Sequence, residues 1–148
     1  MIVKQIFRIL VLLTFLLTIK IPAQAQADPI EHTWYNEAKT GKVQIYKGRD
    51  DKFYGKLVWL KEPNRDGKPK LDINNPDKTK RNQPTVGLVL LRGFKKTADN
   101  VYENGTIYDP KSGKTYESVM KLNDGKLNVR GYIMVSLIGR SETWTKAD

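Results

Sequence analysis

The chain has 148 residues, with 26 lysines and arginines against 16 acidic side chains, one histidine, no cysteine and a formal net charge of +10. These counts exclude disulfide staples, zinc–thiolate centres and Cys–His nucleophile pairs, and they leave His32 as the sole imidazole for a Ser-His-Asp arrangement. The length suits one domain with one core.

Residues 1–27 read as an export signal. Lys4 and Arg8 flank an apolar run from Ile9 to Ile19 that leads to Ala23-Gln24-Ala25-Gln26-Ala27. The run before Lys20 is shorter than the roughly 17–25 residues that span a bilayer. Two small-x-small sites overlap, so the mature chain starts at Gln26 or at Asp28. Removal leaves roughly 120 residues (28–148) as a single domain and a net charge of about +7, with no transmembrane segment. The expected location is the periplasm or the medium. There, nucleic acid is not an expected partner, and the charge reads as solubility or as contact with anionic envelope surfaces.

The first strands are expected at Thr33 to Asn36, Lys42 to Lys47 and Lys52 to Leu60, separated by Gly41 and by Gly48-Arg49-Asp50-Asp51. Next comes the one long connection, Lys61 to Pro84, with four prolines, little apolar content and mixed charge. It is expected to be irregular, and to serve as a lid or a recognition surface. Strands resume at Val86 to Phe94, Asn100 to Tyr108, Lys114 to Leu122, Lys126 to Met134 and Leu137 to Thr145. β-Branched or aromatic residues alternate along the last four, and Asp109-Pro110-Lys111-Ser112-Gly113 and Asp124-Gly125 supply turns. About eight short strands in sequence predict an all-β antiparallel meander closing into a small barrel, with a sandwich as the rival.

Gly113-Lys114-Thr115 is not a phosphate loop, because Tyr108 occupies the first glycine position and a strand follows; the glycine suits a left-handed turn position. Asp72, Asn74 and Asp77 resemble the start of a calcium loop, but Asp77 stands at the glycine position and Gln83 at the glutamate position. No metal, cofactor or catalytic residue is therefore assigned. Asp109 and Glu117 are placed to face each other across a hairpin, the one carboxylate pair a hydrolase would use. In the last strand Ile138, Arg140, Glu142 and Trp144 share a face. If that face points inward, Arg140 and Glu142 must pair.

Asp72-Ile73-Asn74-Asn75-Pro76-Asp77 with Arg81 and Gly87-Leu88-Val89-Leu90, Gly105-Thr106-Ile107-Tyr108-Asp109-Pro110 with Gly113-Lys114-Thr115-Tyr116, and Val129-Arg130-Gly131-Tyr132-Ile133 with Leu137-Ile138-Gly139-Arg140 and Trp144 resemble the bacterial family called domain of unknown function 2147. The resemblance covers nearly the whole mature chain. It implies small exported proteins with a compact lipocalin-like, or calycin, barrel. In such barrels a tryptophan on the first strand lies beneath an arginine from the last. The resemblance gives those structural parts to Trp34 and Arg140, with Trp144 nearby, although His32 stands where that pattern has a glycine.

The expected function is therefore a non-enzymatic, exported barrel that binds a small molecule or an envelope component at its open end, beneath the long loop. The candidate ligand residues are Asp72, Asn75, Asp77 and Arg81 in the loop, with Tyr108, Asp109, Tyr116 and Arg140 on the barrel. Two other readings stay open: a filled barrel that docks an envelope protein, and a carboxylate-dependent hydrolase.

Overall fold

The computed structural model describes residues 26–133 and 138–147. Nearly all of the expected export segment lies outside the described residues, as do the expected strand end at Met134 and strand start at Leu137.

The described residues form ten strands: β1 (Thr33–Tyr35), β2 (Gly41–Lys47), β3 (Phe53–Leu60), β4 (Asn64–Arg65), β5 (Lys68–Pro69), β6 (Val89–Ala98), β7 (Val101–Asp109), β8 (Lys114–Asn123), β9 (Lys126–Tyr132) and β10 (Gly139–Lys146). Eight of them close a barrel in the order β1-β10-β9-β8-β7-β6-β3-β2, and β4 and β5 form a separate two-stranded ribbon. Closure is antiparallel: Trp34 pairs with Lys146 on β10 and with Val43 on β2. The expected meander is present, and the sandwich is not.

Most strand ends move by a residue or two, and one strand moves further. The strand predicted over Val86 to Phe94 runs instead from Val89 to Ala98, because pairing of Lys95 with Glu103 and Lys96 with Tyr102 carries the exposed Lys95-Lys96-Thr97 stretch into the sheet. No apolar alternation marks that stretch, so pairing to β7 and not burial makes it a strand. The connection predicted to be irregular also contains the β4–β5 ribbon and a single 3-10 turn over Lys78–Lys80.

Inward positions alternate along each strand as the two-residue period requires, with Val43 and Ile45 on β2, Phe53 and Leu57 on β3, Met120 and Leu122 on β8, and Leu127 and Val129 on β9 all buried. Large side chains fill one half of the barrel. Phe94 seats against Gly105, where an added Cβ would fall 2.3 Å from the ring, so only glycine lets that ring cross the barrel interior.

Residues 28–32 plug this filled end. Ile30 and Trp34 are fully buried, and the Trp34 indole Nε1–H donates to the Ile30 carbonyl at 2.9 Å. The Asp28 carboxylate accepts from the Tyr102 hydroxyl and lies 2.8 Å from the Lys96 ammonium. The cation over the Trp34 ring is Lys146, 5.9 Å from its centroid. This corrects the expectation for Arg140, which pairs in register with Gly131, near the other end of β10, with its side chain 85% exposed. Trp144 is buried in the core cluster.

Candidate functional site

Among the described residues, the other end of the barrel is open. Here β1, β3, β7 and β9 end while β2, β6, β8 and β10 begin, and their inward residues surround a cleft of about 1420 Å³. Its wall is aliphatic and aromatic, formed by Val43, Leu57, Ile107, Val129 and Trp144 among others. These are the same alternating positions that fill the closed half.

Glu142 places a carboxylate on that wall. On β10 the face bearing Arg140, Glu142 and Trp144 points inward, with Ile138 just ahead of the strand, and the anticipated pair forms, with Arg140 Nη2 3.4 Å from Glu142 Oε1. The other Glu142 oxygen accepts from Trp144 Nε1 at 3.0 Å. The pair sits at the mouth with water access, so it avoids the full cost of burying charge.

Around the mouth, apolar groups are mixed with charged ones, the acids Glu62, Asp66 and Asp109 among them. Leu71 and Ile73 of the long loop, with Ile133 and Ile138 beyond β9 and before β10, are large hydrophobic residues that are exposed and line the cleft. Exposed aliphatic residues gathered on one concave rim mark a contact surface, whereas scattered ones do not. Lys61, Arg65, Lys68 and Lys111 also line the cleft, and among the described residues no carboxylate lies within ion-pair distance of them. Lys70 is paired with Glu62 at 3.5 Å.

The long connection is built as a fixed rim. Asp72 N donates to the Gln83 carbonyl, Thr85 N donates to the Lys70 carbonyl, and Leu71 bridges Pro84, so the two ends of the segment run side by side. Asp72 is fully buried, accepting from the Tyr108 hydroxyl at 2.7 Å and from Asn75 Nδ2 at 2.7 Å. Burial, and then this bond to Asp72, push the Tyr108 phenol up to about 12. Asn74 Nδ2 reaches the Lys111 carbonyl at 2.8 Å, and Gly113 lets the loop touch the β7–β8 turn: its φ is +71°, and a Cβ there would lie 1.9 Å from the Asn74 carbonyl oxygen.

The expected ligand residues therefore divide into two groups. Tyr108, Asp109, Tyr116 and Arg140 line the cleft. Asp72, Asn75, Asp77 and Arg81 do not; they hold the loop together. Asp77 caps the 3-10 turn through Thr79, whose side-chain and backbone bonds, with Lys80, lower its carboxyl to about 2. Arg81 Nε donates to the Asn75 carbonyl at 2.7 Å. Asp109 ties its own turn through Lys111 N and Ser112 Oγ. The carboxylate pair expected of a hydrolase is not formed, because the register sets Asp109 against Lys114 and Glu117 against Thr106. The apolar wall escaped the sequence reading, since an inward residue above an empty space has the same pattern as one in a packed core. The basic rim escaped it too, because Lys61 to Pro84 carries mixed charge and Lys111 comes from a different turn.

Residues 32–146 match the family described as "Uncharacterized protein conserved in bacteria (DUF2147)", and the chain belongs to that family. Among solved structures, protein HP1028 from the human pathogen Helicobacter pylori, described as belonging to the lipocalin family, is similar with a TM-score of 0.70 at 22% sequence identity. The match covers 80% of this chain and 83% of that one. The fold is thus lipocalin-like. Comparison with curated proteins finds no match.

Proposed function

We propose that this member of the family is an exported, lipocalin-like binding barrel that holds one amphipathic small molecule, with its apolar body inside the barrel and an anionic head at the mouth. The observation that carries this reading is the pairing of an aliphatic and aromatic cleft with a rim bearing Lys61, Arg65, Lys68 and Lys111, none ion-paired among the described residues. Apolar pockets with a few placed polar groups are the usual form of small-molecule sites. The export part rests on Lys4, Arg8, the apolar run and Ala23 to Ala27.

The magnitudes are adequate. A ten-carbon chain buried at about 0.8 kcal/mol per methylene gives roughly 7 kcal/mol. The basic rim adds about 0.2–1 kcal/mol per exposed ion pair, and several kcal/mol are lost to immobilisation. Affinities between millimolar and micromolar follow. A filled barrel that only docks another protein is less consistent with a cleft of about 1420 Å³.

The test is calorimetric titration of the protein with decanoate, decanol and decyltrimethylammonium. Decanoate is expected to bind most tightly, decanol less tightly and the cation least. If none of the three binds, the reading fails; if all bind equally, the assignment of an anionic head fails while the apolar cleft stands.

A further inference from the structure

We infer that the exported chain begins at Asp28, and that the ammonium released by cleavage after Ala27 fastens the plug at the closed end of the barrel. Sequence alone leaves two sites open, after Ala25 or after Ala27, since both end a small-x-small triplet. The structure separates them.

From Asp28 onward the chain is tied into the barrel. Asp28 N donates to Glu31 Oε1 at 2.9 Å, and the other Glu31 oxygen accepts from Lys47 N of β2 at 3.1 Å. The Asp28 carboxylate accepts from Tyr102, Lys96 and the Ile30 amide, and Ile30 is fully buried. Gln26 and Ala27 are exposed and have no hydrogen-bond partner among the described residues. Chain ends are ordered only where something holds them, and the holding begins at Asp28.

Cleavage by a signal endopeptidase adds water across the Ala27–Asp28 peptide bond. The C–N bond breaks, the water oxygen stays on Ala27 as a carboxylate, and the Asp28 nitrogen takes up protons to become an ammonium. That nitrogen is the atom already 2.9 Å from Glu31. A neutral amide donor thereby becomes a charged one facing a carboxylate, and charge-assisted bonds are roughly twice as strong as neutral ones. Cleavage after Ala25 would leave the ammonium two residues away, with no partner among the described residues.

The first readout is the intact mass and amino-terminal sequence of protein recovered from the exported fraction of cells expressing the full chain. A start at Asp28 is expected; a start at Gln26, or retention of residues 1–27, overturns the proposal. The second compares forms beginning at Asp28 and at Gln26, each released with its native terminus from a fusion. The Asp28 form is expected to melt about 2 to 4 °C higher, and Glu31→Gln is expected to remove the difference. Equal melting of the two forms overturns the fastening role.

Discussion

The Tyr108 hydroxyl donates to the Asp72 carboxylate at 2.7 Å, joining a barrel strand to the middle of the one long connection. Asp72 is fully buried while its neighbours Leu71 and Ile73 are exposed on the cleft. Alternation along three residues therefore turns an acid into the body of the loop and two aliphatic side chains toward the mouth, so this bond fixes the height of the apolar rim.

Tyr108→Phe leaves Asn75 as the sole side-chain donor to Asp72 among the described residues. Removing one partner of a buried acceptor costs about 1–3 kcal/mol. Urea denaturation is expected to show that loss, and amide exchange at Asp72 and Thr85 is expected to accelerate more than exchange in β8 and β9. An unchanged midpoint with unchanged exchange would mean that Asn74 and Gly113 hold the loop without this bond.

At high pH the same bond sets a limit. Burial and the Asp72 bond raise the Tyr108 phenol from 10.0 to about 12, and burial followed by Asp28 raises Tyr102 further. A group raised in the folded state contributes in full below its unfolded value and loses that contribution as pH rises through the folded value. Stability is expected to fall between pH 10 and 12, and Tyr108→Phe is expected to flatten that limb. At low pH the relation reverses. Burial alone would raise Asp28, but bonds from Lys96, Tyr102 and the Ile30 amide outweigh it and hold the carboxyl below its ordinary 3.8. Its contribution is present above that value and lost as pH falls below it, so Asp28→Asn is expected to shrink the acid limb of a denaturation profile.

Gly113 and Gly125 share a left-handed backbone, with φ of +71° and +73°, but differ in surroundings. An added Cβ meets the Asn74 carbonyl oxygen at 1.9 Å in the first and nothing within 4 Å in the second. Gly125→Ala is expected to cost about 1 kcal/mol from backbone strain alone. Gly113→Ala is expected to cost more, about 2–3 kcal/mol, because the loop must also move off the turn. Equal costs in paired urea titrations would show that the loop is not seated on the β7–β8 turn.

Reversing rim charges separates head-group recognition from packing. Lys61→Glu and Arg65→Glu are each expected to weaken decanoate binding by up to about fivefold, equivalent to the 0.2–1 kcal/mol of an exposed pair, and to strengthen decyltrimethylammonium binding. Stability is expected to stay within about 0.5 kcal/mol, as for most surface substitutions.

The barrel was legible because each signal was local. Asp124-Gly125 turns β8 into β9, and alternation such as Leu127 with Val129 and Met120 with Leu122 specifies which face packs. Register was not legible: the family resemblance implies Arg140 over Trp34, whereas pairing across β1 and β10 places Lys146 there. In the long loop, Asp72, Asn75, Asp77 and Arg81 drew attention as polar residues without a strand pattern. Their hydrogen bonds turn inward on the loop, and sequence cannot distinguish a group that binds a ligand from one that binds its own backbone. Tyr108, Asp109, Tyr116 and Arg140 reach the cleft because they lie where strands meet the mouth.

The two buried indoles give the most direct test. The Trp144 Nε1–H bonds to Glu142 inside the cleft, whereas the Trp34 Nε1–H bonds to the Ile30 carbonyl at the closed end. In an NMR titration of isotopically labelled protein with decanoate, the Trp144 indole resonance is expected to shift saturably while that of Trp34 stays in place. A Trp144 resonance that does not move as decanoate binds, or a Trp34 resonance that moves in its stead, would contradict binding in the barrel mouth.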